Sequence, residues 1–574
     1  MRHTLGTVAV VALVVLAGCA GSGGGDGGGV DDGSETIGLS VGGAQDAGGF
    51  RQNVREGYVP QPTDITYEGL FHDHYFDTGR ERPCEGLFCP SYSRALATDP
   101  VSGERERFVT VGLDSGLSEA DLERTKLNLV VVLDTSGSMR ESFDRYYYDG
   151  GERQEVGSRQ SKMDAARAAV ATLTTHLEDG DRFGLVTYDE NARVVQEMRA
   201  VGETDMGALR ERIRGIGTGG STNLDAGMAT AKRMLAPYRD ARAVTGERAR
   251  TPRTPRFDSR RPSRFSTTRR SSDAASGSAE SEYETRVIYV TDAMPNTGET
   301  GVVSLQSRLQ SHANDGIHST FVGVGVDFNS RFVEAITSVR GGNYYTVHSP
   351  RQFEKRMDEG FDHMVTPLVF DLSLSVEGSG YAIEKVYGTT SEGESTATLV
   401  SVKTLFPSRT SGGKTEGGVV LLELERTGSN PELRMTASYE DRAGTRHERT
   451  RTIAFEDRSA PYFESSGVRK AVALAQYAAV MRNWAAYERA QVTGRSAPAP
   501  ETIDDPVEHR ALGRWEQRSV SLRVSPLYRQ RFDRFEAWFD THRRALGEGA
   551  LAEDARVLDA LTANATRATS GATG

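Results

Sequence analysis

From Leu127 onward, short apolar runs alternate with stretches in which apolar residues recur every three or four positions. Leu127–Leu133, Phe183–Tyr188, Arg286–Thr291, Ser319–Val326 and Tyr344–Val347 are largely apolar throughout and predict strands buried on both faces. Between and after them, Lys162–Leu177, Asn223–Leu235, Ser304–Asn314 and Arg331–Val339 show the period of amphipathic helices. This alternation predicts an α/β fold: a doubly wound, mostly parallel sheet with helices on both faces. A closing helix over Pro350–Met364 ends the region, and the pattern then changes to alternating strands. Val369–Val376, Ala397–Thr404, Gly418–Glu425 and Glu432–Tyr439 predict an antiparallel β-sandwich. Two amphipathic helices follow, Gly467–Ala490 and Tyr528–Ala545, with Trp484 and Trp538 on their apolar faces as core residues.

The 574 residues exceed what one hydrophobic core fills, so several folded units are expected. Residues 126–364 form the α/β domain, with insertions at 140–161 and 237–284; the sandwich is placed at 365–460 and a helical region at 461–574. Residues 50–125 read as a small accessory segment with one strand, Arg107–Leu113. Residues 19–49 are rich in Gly, Ser and Asp and read as a flexible tether. Residues 1–18 carry Arg2 and an almost unbroken apolar run, Val8–Leu16, which is a secretion signal too short to span a membrane as a mature helix. Its end, Leu16-Ala17-Gly18-Cys19, resembles the lipobox of prokaryotic lipoproteins. That resemblance implies cleavage before Cys19, a diacylglycerol on its sulfur, and an extracytoplasmic protein whose only membrane anchor is the lipid. The other possibility is an ordinary signal with a chance cysteine. Ala20, rather than aspartate, after the cysteine points to the outer membrane where two membranes exist.

A net charge of −11 argues against a dedicated nucleic-acid binder, because phosphate contacts need a basic face. With Cys19 assigned to lipid, the three cysteines leave Cys84 and Cys89 as a pair, and export makes a disulfide between them plausible. A zinc site there lacks two further ligands, and a redox pair usually has two intervening residues rather than four. His72 and His74 would share one face of a strand, but no further ligand lies nearby in sequence.

Three segments carry the chemistry. The strand Leu127–Leu133 runs into Asp134-Thr135-Ser136-Gly137-Ser138-Met139, Gly219-Gly220-Ser221-Thr222-Asn223 opens a helix, and Asp292 directly follows the strand Arg286–Thr291. In an open parallel sheet ligands bind at the carboxyl ends of strands, where all three segments fall. Hydroxyls and carboxylates are hard oxygen ligands suited to Mg²⁺ first, and to Ca²⁺ or Mn²⁺, whereas zinc or copper prefers His or Cys. The order and placement of these segments resemble the metal-ion-dependent adhesion site of von Willebrand factor type A (VWA) domains, over about residues 126–364. The resemblance implies that Ser136, Ser138 and Thr222 reach the metal by hydroxyl and that Asp134 and Asp292 support them, partly through water. It also implies that a Glu or Asp carboxylate of a partner protein completes the coordination. Taken singly, each residue could instead cap a turn or helix start. Ala293 stands where the family commonly has glycine.

Because the 140–161 insertion leaves the same sheet edge, Arg145, Tyr146, Tyr147 and Tyr148 are expected to choose the partner, unless the tyrosines fold onto their own domain. The 237–284 insertion is rich in Arg, Ser, Pro and Thr and reads as a solvated loop on the opposite edge. The alternative for its arginines is contact with anionic lipid heads or nucleic acid. An enzyme is not expected. No Gly-x-Ser-x-Gly elbow is present, and Gly412-Gly413-Lys414-Thr415 lacks the earlier glycine of a phosphate loop. The wider arrangement resembles bacterial Ca-activated chloride-channel-like surface proteins, and the sandwich resembles that of inter-alpha-trypsin inhibitor heavy chains. The reading is a membrane-tethered protein that binds another protein through a metal; the rivals are a metal-assisted hydrolase and an envelope scaffold with a purely structural site.

Overall fold

The computed structural model describes residues 36–570 except 46, 123, 143–159, 239–281, 293–300, 326–334, 378–379, 390–397, 429–431, 456–457, 493–518, 548 and 550. Cys19 and the leader, Arg145 to Tyr148, Ala293 and most of the Arg-rich insertion lie outside the described residues.

Seven strands form one sheet in the order Ala44–Gln45, Asn343–Val347, His318–Val324, Tyr283–Thr291, Lys126–Asp134, Arg182–Tyr188 and Ala192–Ala200. All neighbours run parallel except the last pair, Arg182–Tyr188 with Ala192–Ala200. The interior strands are largely apolar because helices cover both faces. In the central strand, Leu127, Leu129, Val131 and Leu133 enter a core shared with the helices Lys162–Leu173, Met206–Arg214, Pro350–Met357 and Phe361–Val365. The alternate residues Val130 and Val132 face the opposite way, onto the helices Leu224–Leu235 and Val302–Asn314. Two expectations change. The expected helix over Pro350–Met364 is broken into two, with Asp358 as the C-cap of the first. The edge strand Ala192–Ala200 and the helix Met206–Arg214 escaped the pattern, since that strand is mostly exposed and has no continuous apolar run.

A second, antiparallel sheet has ten strands, with the path Tyr381–Tyr387, Val419–Arg426, Arg105–Ser118, Thr36–Val41, Leu399–Ser408, Val369–Glu377, Glu432–Asp441 and Arg446–Ala454. Off this path, Cys89–Thr98 pairs with Arg105–Ser118 and with Tyr462–Phe463. The sheet curls about one core, so the Tyr381 ring near its first edge lies 5.3 Å from the Phe455 ring just past its last strand. The expected sandwich is thus one rolled sheet. Residues 50–125 are no appendage, and the stretch read as tether contributes a strand: Thr36–Val41 and Arg105–Ser118 are interior strands that pair with each other, the first flanked on its other side by Leu399–Ser408 and the second by Val419–Arg426. Thr66 caps the short helix Tyr67–His72, so His72 and His74 do not share a strand; His74 Nε2 lies 3.2 Å from Asp554, whereas the His72 ring centroid lies 6.4 Å from that of Tyr345. Cys84 and Cys89 are joined as a disulfide with their Cα atoms 5.7 Å apart.

Helices back this sheet. Ser466–Val492 is buried on nearly every side, not amphipathic, because strands, the helix Tyr67–His72 and the helix Pro526–Leu546 surround it. Trp484 is fully buried and its indole N–H donates to the Arg523 carbonyl at 3.2 Å. Trp538 is partly buried against the same core. A further helix, Ala552–Ser570, brings the buried Asp554 to 2.9 Å from Arg51 of the helix Gly48–Arg55. Among the described residues no helix is long and apolar enough to cross a membrane.

Candidate functional site

The three predicted segments meet at the carboxyl edge of the seven-stranded sheet. Asp134 ends the strand Lys126–Asp134, and Asp292 follows the adjacent parallel strand Tyr283–Thr291; both are fully buried. The loop after Asp134 is stitched to the Thr222 segment by two backbone hydrogen bonds, Gly219 N–H to the Thr135 carbonyl at 2.8 Å and Gly137 N–H to the Gly220 carbonyl at 3.1 Å. Gly220 adopts φ +83°, a left-handed conformation that disfavours a side chain, and a Cβ there would lie 3.1 Å from Asp189. The helix Leu224–Leu235 then starts on Asn223, whose side chain accepts from the Ala226 N–H at 3.2 Å and donates to the Glu190 carbonyl at 3.1 Å. Thr222 is thereby held 2 % exposed.

Asp134 is tightly bound by its own fold. Its Oδ1 accepts from the Ser136 N–H at 2.8 Å, and its Oδ2 accepts from the Thr291 hydroxyl at 2.7 Å. The Tyr188 hydroxyl lies 3.0 Å from that Oδ2 and 2.9 Å from Thr291 Oγ1. Burial, and then the nearby Asp292 carboxylate, push the Asp134 carboxyl up to about 6. The Ser136 and Ser138 hydroxyls are buried 3.1 Å apart. Asp292 Oδ2 lies 3.4 Å from the Lys162 ammonium, while its buried Oδ1 has no hydrogen-bond partner among the described residues.

Sequence reasoning missed Tyr188, Thr291 and Lys162. Tyr188 is paired in register with Asp134, and Thr291 immediately precedes Asp292, so the parallel register itself would have pointed to both. Lys162 is the first residue of its helix, and nothing in the pattern distinguished it from a solvated lysine. The 140–161 insertion is closed at its base by a Ser142–Ser161 bridge and by the Lys162 N–H to the Glu141 carbonyl at 2.9 Å, beside the Asp134 loop. The Arg-rich insertion leaves and returns at the amino ends of the strands, opposite the aspartates, where the Arg182 guanidinium lies 5.3 Å from the Tyr238 ring and 4.3 Å from the Tyr283 ring. Among the described residues no group of three or more His, Cys, Asp or Glu side chains gathers as a metal cage.

Several solved structures are similar to the chain. A von Willebrand factor type A protein from Catenulispora acidiphila is 16% identical, covering 73% of this chain and 89% of that one, with a TM-score of 0.39. The ArnB paralog VWA2 from Sulfolobus acidocaldarius is 10% identical, covering 84% and 99% respectively, with a TM-score of 0.37. BatB from Bacteroides thetaiotaomicron is 14% identical, covering 42% and 98%, with a TM-score of 0.26. A comparison with curated proteins finds no match. Residues 129–251 match the family described as von Willebrand factor type A domain, and with the sheet order and helices around them the chain carries a VWA domain.

Proposed function

We propose that this VWA domain binds a divalent cation, Mg²⁺ in the first place, with Ser136, Ser138 and Thr222 supplying hydroxyl oxygens and Asp134 and Asp292 the charge behind them. The observation that carries the reading is the Asp292 carboxylate: it is fully buried beside a second buried carboxylate, and its Oδ1 lacks a hydrogen-bond donor among the described residues. Such an oxygen is costly to bury without a donor or a cation. Two buried hydroxyls 3.1 Å apart complete a hard-oxygen donor set that suits Mg²⁺, Ca²⁺ or Mn²⁺. A bound cation would supply a Lewis-acidic position for one more oxygen, which a Glu or Asp of a partner protein fits.

The chain's own residues prepare that contact. Thr291 and Tyr188 fix one face of Asp134, and the two backbone bonds to Gly219 and Gly220 keep Thr222 against the serine loop. The Tyr-rich insertion, including Arg145, Tyr146, Tyr147 and Tyr148, leaves and returns beside the site, and we assign partner choice to it. We assign the protein to the extracytoplasmic side of a membrane, lipid-anchored, a reading supported by the apolar run Val8–Leu16 and by Leu16-Ala17-Gly18-Cys19.

The test is capture of partners from envelope extract with Mg²⁺ or with EDTA, comparing wild type with Ser136→Ala/Ser138→Ala. Release by EDTA and loss in the double variant are expected. Retention that ignores both sinks the metal reading and favours a scaffold. Replacing residues 143–158 by a short Gly-Ser linker is expected to abolish capture while leaving Mg²⁺ affinity intact; unchanged capture removes the loop from the account.

A further inference from the structure

Lys162 is fully buried, which is rare for lysine, whose long stem ordinarily carries the ammonium to water. Its course is set by its surroundings. The backbone is held by the capping box of Ser161 and Asp164 and by the N–H to the Glu141 carbonyl at 2.9 Å. The stem passes Gly325, which has φ +95° and where a Cβ would come within 2.4 Å of Lys162 Cε. The ammonium ends 3.4 Å from Asp292 Oδ2, both side chains being fully buried. The charged buried residues described at this edge are Asp134, Asp292 and Lys162.

Resting on the metal reading above, we propose that Lys162 is an internal counter-cation of the site. It holds Asp292 in place while no metal is bound, and it sets the charge of the loaded site. Two carboxylates and one ammonium leave a single negative charge, which a divalent ion turns into a single positive one. One partner carboxylate then brings the site to neutrality. Without the lysine the loaded site would be neutral and would gain less from a carboxylate. The ammonium thus weakens metal binding and strengthens the contact to an acidic partner, a use of a buried ion pair for specificity rather than stability.

The experiment compares the purified full chain with Lys162→Met, with Ser136→Ala/Ser138→Ala as the control. Thermal midpoints in EDTA and Mg²⁺ titration by calorimetry are the first readouts. Lys162→Met is expected to melt earlier in EDTA and to bind Mg²⁺ tighter by on the order of tenfold, as removal of a nearby like charge allows. With Mn²⁺ as the ion and acetate as the probe, paramagnetic broadening of the acetate methyl resonance per bound Mn²⁺ is expected to fall. Wild-type Mg²⁺ affinity or weaker in Lys162→Met, with wild type still binding, overturns the proposal alone; so does unchanged acetate broadening. No Mg²⁺ binding in wild type or in Lys162→Met removes the metal reading and the proposal with it. If Lys162→Met does not fold, Lys162→Gln and Lys162→Met/Asp292→Asn give the same comparison, and the double variant is expected to melt later in EDTA than Lys162→Met.

Discussion

The oxygen Asp134 Oδ2 has two hydroxyl donors within reach, Thr291 at 2.7 Å and Tyr188 at 3.0 Å, and these two lie 2.9 Å from each other. Thr291→Val and Tyr188→Phe each delete one hydroxyl without changing the shape of the core. After either change the remaining hydroxyl still satisfies the oxygen, so each single variant is expected to cost about 1.5 kcal/mol, the net worth of one hydrogen bond to a charged group. The double variant leaves a buried carboxylate oxygen with no donor and is expected to cost more than the sum, upward of about 3 kcal/mol. Trp484 and Trp538 lie in the helices Ser466–Val492 and Pro526–Leu546, so their fluorescence reports on those helices and not on this sheet. Amide hydrogen exchange of the strand Lys126–Asp134, measured in EDTA above the value of about 6 to which Asp134 is pushed, reads the right element. Exchange is expected about tenfold faster in each single variant and more than about a hundredfold faster in the double. Strictly additive effects, or a neutral double variant, would refute the reasoning that these hydroxyls serve one buried charge.

Glu284 is 13 % exposed and lies 2.8 Å from both His318 and Arg286. Burial alone would raise it, but His318 and then the Arg286 guanidinium hold its carboxyl down at about 2. The folded value is depressed, so this contribution is present above the ordinary carboxylate range and is lost as pH falls from about 4.5 toward 2; Glu284→Gln should flatten the acid limb of a stability curve by about 3 kcal/mol. Trp484→Ala empties a fully buried site against Phe532 and should cost about 3–5 kcal/mol, read as an early loss of helical circular dichroism. Opening the Cys84–Cys89 bridge, which closes a separation of only 5 residues, should cost about 2 kcal/mol, with faster exchange confined to the strands Cys89–Thr98 and Arg105–Ser118.

The aspartates, serines and threonine of the candidate site were legible because each sits where a periodic element ends, and an apolar run announces its own terminus. Asp134 and Asp292 close two such runs and Thr222 precedes a third element, so their order along the chain already implied one sheet edge. The parallel sheet was legible for the same reason: strands covered on both faces have no polar alternation to confuse with a surface strand. The edge strand Ala192–Ala200 was not, because one exposed face and short apolar stretches leave it without a period.

What the sequence by itself determined is therefore local: which segments are strands, which are helices, and which oxygens stand at their ends. Pairing between distant segments was decided only by the tertiary structure. Thr36–Val41 and Arg105–Ser118 joined the second sheet because its curled core needed strands there, a requirement that no window of nearby residues expresses. The same holds for Lys162. Its charge is buried against Asp292 by a helix cap on one side and by the space that Gly325 leaves on the other, so its placement depends on segments more than a hundred residues apart.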